Sequence, residues 1–155
     1  PLLLIHNRYF DILKILFIFM DCIFCKIISK EIPAKILYED EESISFLDAF
    51  PISKGHTLVI PKKHVQQIQD MSSKINQKLF DTVHKMISKT DLIKGSTLVL
   101  IHNGKGSGQE IMHVHIHLIP RGSDDSGDNA DRMFQNTLEL SDNEINSIYD
   151  ILKIN

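Results

Sequence analysis

Hydrophobic and polar positions along the chain change period several times, and each change predicts an element. From Ile32 to Phe50 short alternating runs read as two strands. "KILYED" ends in an acidic turn and "SISFLDAF" follows it. "HTLVI" predicts a third strand, closed by Pro61, which has no N–H for a ladder. Over residues 72–93 the period lengthens. Ile75, Leu79, Val83, Met86, Ile87 and Thr90 recur at three and four, so one face of a helix is apolar. Ser72 or Ser73 caps its start, and Gly95 lies just past its end. "STLVLIHN" predicts a fourth strand. "NGKGSGQ" is a glycine-rich loop, and "HVHIHLI" predicts a fifth strand stopped by Pro120. Residues 122–136 are polar, and a Ser141…Glu144 capping box opens a final helix over 141–153. Strands, a helix, then strands with short links imply an α+β fold: a mostly antiparallel five-stranded sheet with one long helix and a C-terminal helix.

Composition narrows the class. The 155 residues, 43% hydrophobic and 24% charged, suit one domain over 20–155. A net charge of −3 argues against a scaffold that holds nucleic acid stably by bulk positive charge, although a local phosphate site stays open. There is no internal repeat. Residues 1–19 are apolar and aromatic, but Arg8, Asp11 and Lys14 interrupt them, so no membrane span is expected. They read as an extension upstream of a start at Met20, with a targeting helix or a cleaved signal as alternatives. Two cysteines do not make a secreted disulfide framework, and a reduced cytoplasmic or nuclear setting is the better match.

The chemistry concentrates in His113, His115 and His117. In a strand, alternate side chains share a face, so these imidazoles lie roughly 6.5–7 Å apart on one side, with Val114, Ile116 and Leu118 on the other. A row of imidazoles must face water, a metal or an anion, because burial without partners is costly. A solvated face, a metal site and phosphate chemistry are the three readings. The last draws on a neutral imidazole being a good nucleophile near pH 7. Cys22 and Cys25 have the Cys-x-x-Cys spacing that grips a metal but supplies only half of a closed tetrahedral site. Buried free thiols or a redox pair are the alternatives.

The run from Cys22 to Arg121 resembles the histidine triad family of nucleotidyl hydrolases and transferases. The blocks "CIFCKII", "EIPAKILYEDEESISFLD", "GHTLVIPKKH" and "GQEIMHVHIHLIPR" carry the resemblance, in that family's order. The resemblance implies that His115 attacks the α-phosphorus of a purine nucleotide conjugate and forms a transient nucleotidyl-histidine. His117 and His56 would then hold the non-bridging oxygens. For His115 to attack, one ring nitrogen must be bare and the other held by a hydrogen bond, such as one to a backbone carbonyl. Asp48 matches a ribose-binding position, with a turn aspartate before Pro51 as the simpler reading. Phe24 and Ile27 match walls for the purine. His102, Asn103, Gly108, Gln109 and Glu110 fall in or beside the phosphate-facing loop, whose glycines would expose N–H groups to an anion. His102 and Glu110 depart from residues common in relatives, which have an amide and a Ser or Thr there. The family's zinc-bearing members imply a structural zinc on Cys22, Cys25, His64 and His113. The family also implies a homodimer. A nucleoside phosphoramidate is the expected substrate class. A dinucleoside polyphosphate hydrolase, a nucleotide-binding interaction protein with vestigial catalysis, and a zinc-stabilised structural module are the alternatives.

Overall fold

The computed structural model describes residues 21–125 and 133–154. The expected extension at 1–19, and 126–132 of the polar segment, lie outside these residues. Five strands form one antiparallel sheet in the order β1-β2-β3-β5-β4. They are β1 (Ile36–Glu39), β2 (Ser43–Leu47), β3 (Thr57–Pro61), β4 (Ser96–Leu100) and β5 (Ile116–Arg121). Three helices accompany them among the described residues: α1 (Ile23–Ile28), α2 (Ser73–Lys94) and α3 (Asp142–Leu152).

The long helix follows its sequence signals closely. Ser72 accepts the Ile75 N–H at the start, and Gly95 takes φ +95° at the end, which a residue with a Cβ adopts only under strain. Its buried face is Ile75, Leu79, Thr82, Val83, Met86 and Thr90. Leu79, Val83 and Met86 of that face pack with Leu37, Val59, Val114, Ile116 and Leu118 on one face of the sheet, joined by Ile148 and Leu152 of α3. A second core covers the opposite face, where Phe24 and Ile27 of α1 meet Ile44, Phe46, Leu58 and Ile60. No helix among the described residues is long and apolar enough to cross a membrane.

Two predicted strand limits are corrected. The fifth strand begins at Ile116, so His113 and His115 precede it. β3 pairs with β5 only as far as Val59↔Ile116, and Pro61 beyond has no N–H to continue the ladder. The Val114 amide instead donates to the Val65 carbonyl at 2.8 Å. Nor does Pro120 stop β5, which runs on to Arg121. The Pro120 carbonyl faces Ser53 Oγ at 2.8 Å. Its missing N–H points the same way, past the start of β3, where no strand partner is waiting. The short helix α1 is absent from the periodicity reading, because six residues are too few to show a helical period.

Candidate active site and metal centre

The three triad residues do share one side of the chain, but they are not a wet face. His113, His115 and His117 are 0%, 6% and 6% exposed, and His56, just before β3, is 1% exposed. Each is tied into polar contacts instead. The His115 Nδ1–H donates to the His113 carbonyl at 2.7 Å, which leaves its Nε2 with a bare lone pair. The carbonyl is available because residues 113–115 lie outside the ladder.

His56 and His117 form a row. His56 Nε2 lies 3.0 Å from His117 Nδ1, and His56 Nδ1 faces both the Ile52 N–H at 3.4 Å and Asp48 Oδ2 at 3.5 Å. The Ile52 amide can only donate, so its contact treats Nδ1 as an acceptor; in that tautomer Nε2–H donates to His117 and the His117 proton sits on Nε2. That nitrogen is shut off from solvent and has no hydrogen-bond partner. It is a donor with a place waiting for an acceptor. Asp48, His56 and His117 also offer metal-binding atoms within 4.8 Å of one another. But His56 turns opposite nitrogens toward the other two, Nε2 toward His117 and Nδ1 toward Asp48, which does not suit a chelate.

Electrostatics keep these rings neutral. Burial pushes the His117 pKa down to about 2, with His56, His115 and His102 nearby adding to the effect. Burial also lowers His115, partly offset by its bond to the His113 carbonyl. It lowers His56 too, against the opposing pull of Asp48. Neutral rings present one donor and one acceptor each, which suits positioning and attack rather than bulk attraction of anions.

The other predicted site residues fall into two groups. His102, at the end of β4, brings its ring to 5.7 Å from His117, and Asp48 lies beside His56. Phe24 sets its ring 5.2 Å from that of His115, yet it is buried with Ile27 in the second core. Asn103 and Gln109 are already committed to holding the loop. Asn103 Oδ1 accepts the Ile68 N–H, and its Nδ2 donates to Gln69. Gln109 accepts the Gly104 N–H and donates to the carbonyls of Gln66 and Ile111. The loop's expected free N–H groups are also largely consumed. Ser107, Gly108 and Gln109 donate to carbonyls of Gly104 and Lys105 within the loop, because its 3-10 turn folds those amides inward. Gly108 itself takes φ +87° against His102. Glu110 is exposed at the loop's end. Phe134 was not anticipated. Its ring lies 5.0, 5.3 and 6.3 Å from those of His117, His102 and His56. The signal for it was a large apolar pair, Met133–Phe134, inside a polar stretch.

A second constellation lies on the far side of His113. Cys22 Sγ is 3.5 Å from His113 Nδ1, and Cys25 Sγ is 3.3 Å from His64 Nδ1 and 3.7 Å from His113 Nδ1. All four ligand atoms lie within 4.8 Å of one another. A tetrahedral zinc with ordinary bond lengths sets sulfur and nitrogen ligands about 3.6 Å apart. His113 Nε2 donates to the Pro61 carbonyl at 2.8 Å, which aims the Nδ1 lone pair at the sulfurs. Burial, with Cys22 alongside, pushes the Cys25 thiol up to about 12, so a thiolate pair there needs a cation. The residues present therefore fit a metal ion.

Comparison with known proteins agrees with this geometry. The HIT domain model matches residues 29–124. An uncharacterized HIT-like protein of Borreliella burgdorferi is 42% identical over 109 residues, which is 68% of this chain and 78% of that protein. The adenosine 5'-monophosphoramidase hnt1 of Schizosaccharomyces pombe is 39% identical over 109 residues, covering 70% of this chain and 80% of its own. A zinc-bound histidine triad protein from Mycobacterium smegmatis superposes with a TM-score of 0.67 at 29% identity, covering 86% of this chain and 94% of that one. The chain belongs to the histidine triad (HIT) domain family.

Proposed function

We propose that this HIT-family enzyme hydrolyses or transfers at the α-phosphate of purine nucleotide conjugates, with nucleoside phosphoramidates as its main substrates. The observation that carries the reading is the His115 tautomer: Nδ1 donates to the His113 carbonyl, so Nε2 is bare. In the first step Nε2 attacks phosphorus, a His115–phosphorus bond forms, and the bond to the leaving amine breaks as that amine takes up a proton from solvent. Water then attacks the adduct, the phosphorus–nitrogen bond to His115 breaks, and the nucleoside monophosphate leaves. The buried, unpartnered His117 Nε2–H suits a non-bridging oxygen, where charge builds as phosphorus becomes five-coordinate. His56 holds the His117 ring in that tautomer. Asp48 Oδ1 accepts the Phe50 N–H of the turn, and its other oxygen would accept ribose hydroxyls. The phosphoramidase name of the S. pombe relative supports the choice of substrate.

Zinc is the metal we assign to Cys22, Cys25, His64 and His113. When bound, it supplies a closed structural cross-link and no reactive position. It would pin α1 to the segment that leads into the triad. We also assign a homodimer built through β4. The opposite edge of the sheet is closed where Ile154 N–H donates to the Leu37 carbonyl, while β4 is an edge with Val99 40% exposed. The cytoplasm or nucleus is the setting in which the thiols stay reduced.

The test is a panel of adenosine and guanosine phosphoramidates and diadenosine polyphosphates, with His115→Ala alongside. Rapid quenching should trap an adduct on His115, and the variant should be inactive. Undiminished hydrolysis by His115→Ala would overturn the mechanism.

A further inference from the structure

His117 Nε2 presents a contradiction. A donor meant for a phosphate oxygen needs a path to it, yet this atom is sealed from solvent and touches no acceptor. Among the described residues, four rings lie around the His117 ring. Those of His56, His115 and His102 belong to sheet strands or their immediate continuations. The fourth is Phe134, which among the described residues is the ring that reaches His117, His102 and His56 together from outside the sheet.

Phe134 sits on a very different support. Residues 133–140 belong to no strand, and 135–139 are exposed. Their described anchors are few: the Leu138 N–H to the Pro51 carbonyl at 2.7 Å, the Asn136 N–H to Met133, and the Met133 sulfur against Arg121. Among the described residues these backbone bonds are few, and a segment held by few bonds opens at low cost compared with a sheet strand.

We propose that Phe134 is a gate over the phosphoryl-binding histidines, closed in the free enzyme, and that substrate reaches His117 only when the 133–135 turn swings the ring away. Closed, the ring keeps the imidazole row dry and neutral. Open, it exposes the donor that a tetrahedral oxygen needs. The gate also ranks substrates, since a conjugate must bind well enough to displace it. The substrate half of this inference rests on the phosphoryl reading of His117, whereas the access half rests only on the burial of Nε2.

The two halves are tested separately in the full-length protein. Solvent deuterium exchanges into the imidazole C2 position of accessible histidines, and peptide mass spectrometry reads this labelling at each histidine. His84, exposed on α2, serves as the internal standard. A gate that is open about a tenth of the time predicts that Phe134→Ala raises His117 labelling relative to His84 by about tenfold. Phe134→Tyr, which keeps the ring, should label like wild type. With an adenosine phosphoramidate, Phe134→Ala should lower KM by a similar factor and leave kcat unchanged, because only the competent fraction changes. Equal His117 labelling in wild type and Phe134→Ala overturns the gate. Increased labelling with an unchanged KM overturns its role in substrate entry. If wild-type protein cleaves no phosphoramidate at all, the proposed function fails, and the labelling ratio alone decides for or against the gate.

Discussion

Acidification should destabilise this protein through its buried neutral histidines, and His117 offers the cleanest measurement. Its folded pKa is held down to about 2 by burial first and by the neighbouring imidazoles second. In the unfolded chain an imidazole titrates near 6.5. Below that pH the unfolded state takes up a proton that the folded state refuses, so stability is fully present above about pH 6.5 and falls as pH drops toward 2. Between pH 7 and pH 5 the loss from this one residue is about 2 kcal/mol. His56 and His115 are shifted in the same direction and add to the slope. Urea unfolding of wild type and His117→Asn at pH 7 and pH 5 isolates the term, since asparagine keeps a donor and does not titrate. Contributions from the metal ligands and carboxylates are common to both proteins and cancel. The variant should lose about 2 kcal/mol less than wild type over that interval at unchanged m-value. Parallel losses in the two proteins would mean that His117 is not held neutral by burial.

Three further outcomes follow from other parts of the molecule. Chelation of zinc should lower the melting temperature by about 8–16 °C, the equivalent of about 4 kcal/mol for a site held at a thousandfold excess over its Kd. Absence of stoichiometric zinc in purified protein, with unchanged melting on chelation, would refute the centre. Gly95→Ala should cost about 1 kcal/mol in denaturant unfolding; nothing lies within 4 Å of the added Cβ, so only the φ of +95° opposes it, and no loss would contradict that conformation. Ser45→Ala should stabilise by about 1 kcal/mol, because the buried Ser45 hydroxyl has no hydrogen-bond partner. A measurable destabilisation would show that it has one.

Much of the frame was legible because it is local. The three-and-four spacing from Ile75 to Thr90, the Ser72 cap and the Gly95 stop depend on residues a few positions apart, and the structure follows them from Ser73 to Lys94. The alternation of residues 113–118 likewise placed Val114, Ile116 and Leu118 against the helix and the imidazoles on the other side. What local pattern could not carry was how those imidazoles are used. Each donor or acceptor assignment depends on a distant group: Pro61 for His113, His56 for His117, and the break in pairing beyond Val59 that exposes the carbonyl for His115. The loop shows the same dependence on distant groups. Glycine permits free N–H groups, but the turn that consumes them is stapled by Gln109 reaching back to Gly104 and Gln66.

The sequence by itself thus determined the element order, the split of the histidine run into two faces, and the stock of sulfur and nitrogen ligands. These rest on backbone period, caps and residue chemistry, which neighbours along the chain impose. Tertiary structure alone decided that the triad is buried and neutral. It alone brought His64 and His113 to the two cysteines, and laid Phe134 from a polar tail across the site. Those depend on contacts between segments dozens of residues apart, whose meeting is set by the packing of both sheet faces rather than by any run of sequence.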